Sequence, residues 1–233
     1  MKATEKSVLK INMKSKFLLI ITLFFSSVAF SQNVATYGVR AGIISSGIRG
    51  DASDNLNQLI DKTNGYLQTS NRTGFFAGAN ANIPIATNFS IEPGLYYTQK
   101  GYDLTGKFDL KGIEFLGAAA KAGLQTQYID LPVLLKANLN GFQIFAGPQV
   151  SYLAQANLKT TAGILGINIL NKTMDVSSQF NRWDLAVTAG IGYQFTNGIN
   201  IIASYDYGLM KVDANQNVNA YNRAIKVGIG VNF

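Results

Sequence analysis

The segment RWDLAVTAGIGYQFTNGINIIASYDYGL, Arg182–Leu209, alternates apolar with polar or small residues on both sides of a Thr-Asn-Gly turn. Side chains on a strand point to opposite faces with a period of two, so the pattern predicts a β-hairpin. One face of its first strand carries Trp183, Leu185, Val187, Ala189, Ile191, Tyr193 and Phe195. The other carries Asp184, Ala186, Thr188, Gly190, Gly192 and Gln194. Which face meets water decides the fold. With the apolar face inside, the chain is a soluble sandwich or a lipocalin-like carrier of a greasy ligand. With it outside, the surrounding solvent is lipid.

The same alternation recurs along the chain. It predicts strands at Tyr37–Ile44, Phe75–Ile85, Phe89–Tyr97, Gln127–Ala137, Phe142–Tyr152 (interrupted by Pro148), Trp183–Phe195, Ile199–Tyr207 and Tyr221–Phe233. Eight is an allowed even number for an outer-membrane barrel. Many of these strands reach or approach the roughly 9–11 residues that a tilted strand needs to cross a bilayer. Their connections alternate in length. Ala86-Thr87-Asn88, Asn138–Gly141 and Thr196-Asn197-Gly198 are tight, and Asn-Gly in two of them suits a hairpin. Ser45–Thr73, Lys100–Gln125, Ala154–Asn181 and Leu209–Ala220 are long. Short periplasmic turns and long extracellular loops mark an up-and-down transmembrane β-barrel.

The second face argues for lipid outside. Opposite the apolar set lie Arg40, Glu92, Lys100, Asp130, Lys136, Asp184, Asp206 and Lys226, separated mostly by Gly, Ser, Thr, Asn and Gln. A closed barrel of about eight strands has an interior just wide enough for side chains to fill, and small residues with paired charges suit it. These eight residues are expected to form a polar network in the lumen. The apolar face carries aromatic residues near strand ends, among them Tyr37, Phe89, Tyr152, Trp183, Phe195 and Phe233, as the interfacial girdles of membrane barrels do. That face is nearly free of charge. Arg223 is the exception, expected at the interface beside the loops.

The first residues read as a targeting segment. MKATEKSVLKINMKSK is basic, FLLIITLFFSSVAF is apolar, and Ala29-Phe30-Ser31 supplies small residues for a signal peptidase. Residues 1–31 are therefore expected to be a cleaved signal peptide and residues 32–233 the barrel domain. Met13 is an alternative start, since MKSKFLLI is already a basic and an apolar region. Of 20 Lys and Arg and 13 Asp and Glu, five bases and one acid lie in residues 1–31. The remaining 15 and 12 give a mature net charge of +3, so the overall +7 is no sign of nucleic-acid binding.

Charged residues are only 14% of the chain, below the roughly 25% of soluble domains. The absence of Cys excludes a disulfide framework, and the absence of His removes the commonest general base and transition-metal ligand. A Ser–His pair cannot be assembled, and no enzyme activity, cofactor or metal is expected. Asp51, Asp54 and Asp61 lack the spacing of an EF-hand loop. Gly-Ile-Gly-Tyr and Gly-Ile-Gly-Val lie inside strands with no helix after them, so they are not phosphate loops. Asp54–Thr63 is expected to form a short helix. GIEFLGAAAKAG (Gly112–Gly123) and GILGINIL (Gly163–Leu170) are unusually apolar for loops, which suggests a cap over the barrel mouth or a docking surface.

YIDLPVLLK (Tyr128–Lys136), IFAGPQVSYL (Ile144–Leu153), GIGYQF (Gly190–Phe195), YDYGL (Tyr205–Leu209) and the final GIGVNF resemble the PorT-like "porin family" of small Gram-negative outer-membrane β-barrels, over essentially all of Gln32–Phe233. The resemblance implies outer-membrane localisation. It also implies a structural or interaction role through the extracellular loops, accessory in some members to protein secretion. It supplies no catalytic residues. Expected partners are outer-membrane lipid, a protein at the loops and the barrel-assembly machinery, for which Phe233 would be part of the recognition signal. An alternative is a narrow porin for small solutes, although general porins need roughly 16–18 strands.

Overall fold

A computed structural model describes residues 35–50, 67–108, 118–164, 167–215 and 219–233. Among them are nine strands: β1 (Thr36–Arg49), β2 (Leu67–Ala86), β3 (Phe89–Phe108), β4 (Ala118–Leu139), β5 (Phe142–Ile164), β6 (Ile167–Asp175), β7 (Trp183–Gln194), β8 (Ile199–Lys211) and β9 (Tyr221–Asn232). Eight of them close a ring in the order β1-β2-β3-β4-β5-β7-β8-β9, every neighbour antiparallel and β9 pairing back onto β1. Closure satisfies the backbone internally, which a spanning sheet requires. Tyr37 and Phe233 lock the seam: each backbone N–H donates to the other's carbonyl, at 3.0 and 2.8 Å. No described helix is long and apolar enough to cross a membrane.

The turns form as their residues dictate. β4 and β5 are joined by Asn140 and Gly141, whose φ values of 53° and 91° are the paired positive angles of a hairpin turn twisted with its strands. Thr87-Asn88 joins β2 to β3, and residues 195–198 join β7 to β8. All three lie at one end of the ring, here the turn end, with the seam between Tyr37 and Phe233.

The alternation resolves as a lipid-facing wall. Val39, Ile43, Leu95, Leu135, Ile144, Val187, Ile191, Ile201, Ile225, Val227 and Ile229 are exposed outside, while polar and small residues fill the inside. Aromatic side chains bracket this belt. Tyr37, Phe89, Phe142, Tyr193, Phe195 and Phe233 lie near the turn end. Phe75, Tyr97, Tyr152, Trp183 and Tyr207 lie toward the other, with Phe75–Tyr97 and Tyr152–Trp183 in ring contact at 5.7 and 5.1 Å. An apolar interior of the lipocalin kind would need the opposite arrangement. Arg223 is exposed on the outer wall opposite Tyr207, beside the loop-end aromatics.

The strands run further than the alternation suggested. β5 passes through Pro148, which pairs with Val187, and continues to Ile164. Much of what read as loop is strand: Lys100–Phe108 in β3, Ala118–Gln125 in β4, Ala154–Ile164 in β5, and all of β6, which pairs with β5 outside the ring. Stretches such as Leu158–Gly163 and Asn171–Asp175 keep the ladder without a regular apolar stripe. Of the two apolar stretches expected in loops, Ala118–Gly123 lies in β4, Gly163-Ile164 in β5 and Ile167–Leu170 in β6. The signal peptide, the Asp54–Thr63 helix, Gly112–Gly117 and Leu165–Gly166 lie outside the described residues.

Candidate functional site

The lumen is stacked in layers, each set by the inward parity of the strands. Nearest the turn end is an amide layer. Gln194 accepts from Gln143 and Asn232 at 3.1 and 3.0 Å, Asn232 accepts from Asn200 at 3.3 Å, and Ser90 donates to Asn82 at 2.7 Å.

Above it sits the first ion cluster. Arg40 on β1 donates from Nη1 and Nη2 to the two oxygens of Glu92 on β3, at 2.9 and 3.4 Å. Lys136 on β4 donates to the same carboxylate. Arg40 also donates to Asn200 at 3.3 Å and to the Tyr96 hydroxyl at 3.2 Å, which in turn donates to Asn80 at 3.3 Å. All three ionised groups are at most 5% exposed. Charges taken this far from water need full pairing, which a forked guanidinium over a carboxylate supplies.

An apolar plug follows: Ile44, Phe76, Tyr96, Leu134, Phe145, Ile202 and Ala224, all buried and packed together. The free space left at this level is about 30 Å³, bounded by Arg40 below and Lys226 above. That is room for only about one or two water molecules.

The second ion cluster lies beyond the plug. Asp130 on β4 is fully buried and accepts from Lys100 at 3.2 Å and from Lys226 at 3.3 Å. Lys226 also lies 2.7 Å from Asp206 and donates to Gln149 at 3.3 Å. Thr188 donates to Asp206 at 2.8 Å. Lys100 lies 4.8 Å from the centre of the Tyr128 ring, a cation–π contact. Asp184 sits higher, accepting from Asn222 at 2.7 Å.

All eight residues singled out in the sequence therefore lie in the lumen, but as two clusters and one outlying acid rather than one network. The first has two bases and one acid. The second, counting Asp184, has two bases and three acids, so the lumen balances as a whole. Of the neutral members, Thr188 was on the polar face read from the sequence, whereas Asn80, Tyr96, Gln149, Asn200 and Asn222 were not singled out. Their inward parity was the available signal.

At the loop end a second apolar group, Leu124, Tyr128, Leu153, Ala156 and Val176, is joined by Tyr102, Leu158 and Phe180. A short 3-10 turn, Ser177–Gln179, crosses above it. This strap is tied to the segment after β8: Asn181 N–H donates to the Val212 carbonyl at 2.8 Å and Ala214 N–H to Gln179 at 3.1 Å. Beneath it is a cavity of about 210 Å³ whose walls include Tyr102, Leu124, Tyr128, Phe180 and Asn222. Ser177 donates from its backbone to the exposed Asp175 at 2.8 Å, and hydrogen bonds from Ser177 hold that carboxyl below its ordinary range. Among the described residues no cluster of three or more acidic side chains could hold a metal ion.

No curated protein matches this chain. Solved structures match it at low identity. Neisserial surface protein A is 14% identical, with 86% of this chain and 100% of that one covered and a TM-score of 0.45. The attachment invasion locus protein Ail of Yersinia pestis is 15% identical, with 86% and 100% covered and a TM-score of 0.43. The outer membrane protease OmpT of Escherichia coli is 13% identical, with 85% and 93% covered and a TM-score of 0.40. A family model described as "Outer membrane protein beta-barrel domain" matches residues 30–214, most of the chain, without singling out the PorT-like group. With an eight-stranded ring, an apolar outer wall and a polar lumen, the chain belongs to the outer membrane protein beta-barrel domain family.

Proposed function

We propose that this protein is an integral outer-membrane barrel with a closed lumen, acting through its loop end as a structural and interaction platform. The observation that carries this is the plug of Phe76, Tyr96, Leu134, Phe145 and Ile202 between two ion clusters. It fills the lumen at mid-depth, which favours a closed barrel over the narrow-porin alternative. β3, β4, β5 and β6 extend beyond the loop-end aromatics and present a paired sheet to the outside. An accessory part in protein secretion is the specific form suggested by the motif resemblance.

The mature barrel reconstituted in planar bilayers is expected to give no steady conductance. Reproducible unitary current steps would overturn the closed-lumen reading.

Phe233 is proposed as part of the signal read by the assembly machinery. Its ring is 73% exposed, while its backbone closes the seam with Tyr37. Phe233→Ala keeps those backbone bonds and is expected to reduce the folded barrel in the outer-membrane fraction severalfold, without changing the unfolding temperature of refolded protein. Unchanged membrane levels would remove the assignment.

A further inference from the structure

The loop-end cavity of about 210 Å³ takes no part in closing the lumen. Voids much larger than a water molecule are few in a packed protein interior. The wall of this one is built rather than loose. The Ser177 hydroxyl accepts from the Ala156 N–H at 2.8 Å, and the Val176 N–H donates to the Ala156 carbonyl at 2.9 Å. On the other side the Val212 N–H donates to the Ala220 carbonyl at 2.9 Å. Together with the strap's bonds from Asn181 to Val212 and from Ala214 to Gln179, these fix Phe180, Val212 and Ala220 around the space. A pocket already ordered spares its ligand the cost of ordering it.

The lining has two characters. Tyr102, Leu124, Tyr128, Phe180 and Val212 give apolar walls, three of them aromatic, while Thr126 and Asn222 give polar ones. The Asn222 amide is oriented from behind. Its Nδ2 donates to Asp184 at 2.7 Å and to the Tyr128 hydroxyl at 3.4 Å. An amide nitrogen carries two protons, so both are engaged and the group left for a ligand is the carbonyl oxygen, an acceptor.

The surroundings are acidic. Asp184 stands behind Asn222, 5% exposed, and its Oδ1 is buried with no hydrogen-bond partner among the described residues. It is the surplus acid of the upper lumen, where Asp130 and Asp206 already answer Lys100 and Lys226. The one charged residue in the described lining of the cavity is also an acid, Asp213.

We infer that this cavity is a binding site for a small primary amine with a flat apolar body, its ring among Tyr102, Tyr128 and Phe180 and its ammonium group toward Asn222 and Asp184. The volume sets the size. An apolar cavity of about 150 Å³ takes benzene, so this one admits a single ring with about two or three further atoms. The donors and acceptors set the head group. An ammonium has only donors, and the Asn222 carbonyl and the Thr126 hydroxyl are acceptors beside an excess of negative charge. Aromatic faces add cation–π attraction. A carboxylate of the same size meets the same acids and is repelled. The site adds a small-molecule ligand to the loop end, the acting end under the proposed function, and rests on that reading only for the folded barrel.

The test titrates the refolded barrel in detergent micelles with 2-phenylethylamine, 2-phenylethanol and 3-phenylpropionate at neutral pH, by calorimetry. Ala220→Phe is the control for uptake by the micelle. Ala220 is buried and lines the cavity, so the added ring fills it while the backbone bond to Val212 is kept. The amine is expected to bind saturably, one per barrel, about tenfold more tightly than the alcohol, with no saturable binding of the propionate. Binding is expected to be lost in Ala220→Phe. Asp184→Asn keeps an acceptor for Asn222 and removes the charge, and is expected to abolish the tenfold preference for the amine over the alcohol. No saturable binding by a barrel that shifts on boiling would overturn the site, as would equal binding of the three probes or binding unaltered in both variants. A wild-type barrel that does not shift on boiling would instead overturn the barrel reading beneath it. Should Ala220→Phe fail to fold by that same criterion, the order of the three probes and the Asp184→Asn result decide alone.

Discussion

Asp130→Leu is expected to destabilise the folded barrel by about 3–5 kcal/mol, the usual cost of removing one partner from a buried ion pair. Asp130 is fully buried and receives both Lys100 and Lys226. Lys226 retains Asp206 at 2.7 Å, so the stranded charge is Lys100, which has no other carboxylate within ion-pair distance among the described residues. The effect should appear as a lower temperature at which the compact, detergent-resistant form is lost. Lys100→Met/Asp130→Leu removes the stranded charge and is expected to recover most of the loss, because replacing a whole buried pair by apolar groups is often close to neutral. An unchanged transition in Asp130→Leu would show that this cluster does not hold the lumen together.

The second large effect is expected on the opposite face. Val227 lies near the middle of β9, paired with Ala203 and Ile43, and is 51% exposed on the outer wall. Val227→Arg should cost about 2–4 kcal/mol in vesicles, the depth-dependent penalty for a cation facing hydrocarbon. Val227→Phe should be accepted, since the added bulk projects into lipid. The adjacent Gly228 gives the reverse result. A Cβ there would run into the Phe76 ring of the plug, so Gly228→Val should be strongly destabilising although it is the smaller change. Chemical denaturation of the three variants in vesicles checks this. Tolerance of Gly228→Val together with failure of Val227→Phe would invert the assignment of the faces.

The membrane-facing part of the fold was legible because one face of each strand meets hydrocarbon. Trp183–Phe195 advertises its strand in every second residue, and the inward parity of Arg40, Glu92 and Asp130 placed them in the lumen without coordinates. The pairings were not legible. Which base meets Glu92 depends on strand stagger: Lys136 and Arg40 reach it from β4 and β1, 44 and 52 residues away. The division into two clusters depends on the plug, whose members Phe76 and Phe145 look in sequence like misplaced apolar residues on a polar face. β6 and the outer halves of β3, β4 and β5 were hidden because sequence alternation records a difference between two environments, and segments such as Lys159–Ala162 and Asn171–Thr173 carry no regular apolar stripe.

The central claim, an apolar wall outside and a packed polar lumen within, is tested most directly by heat modifiability. Outer-membrane fractions containing the protein are run on SDS gels with and without boiling. The unboiled protein is predicted to migrate as a compact species and to shift on boiling, because a closed backbone ladder and a sealed lumen resist detergent at room temperature. Absence of a shift, with the protein recovered in the soluble periplasmic fraction, would contradict the account and put the apolar face inside.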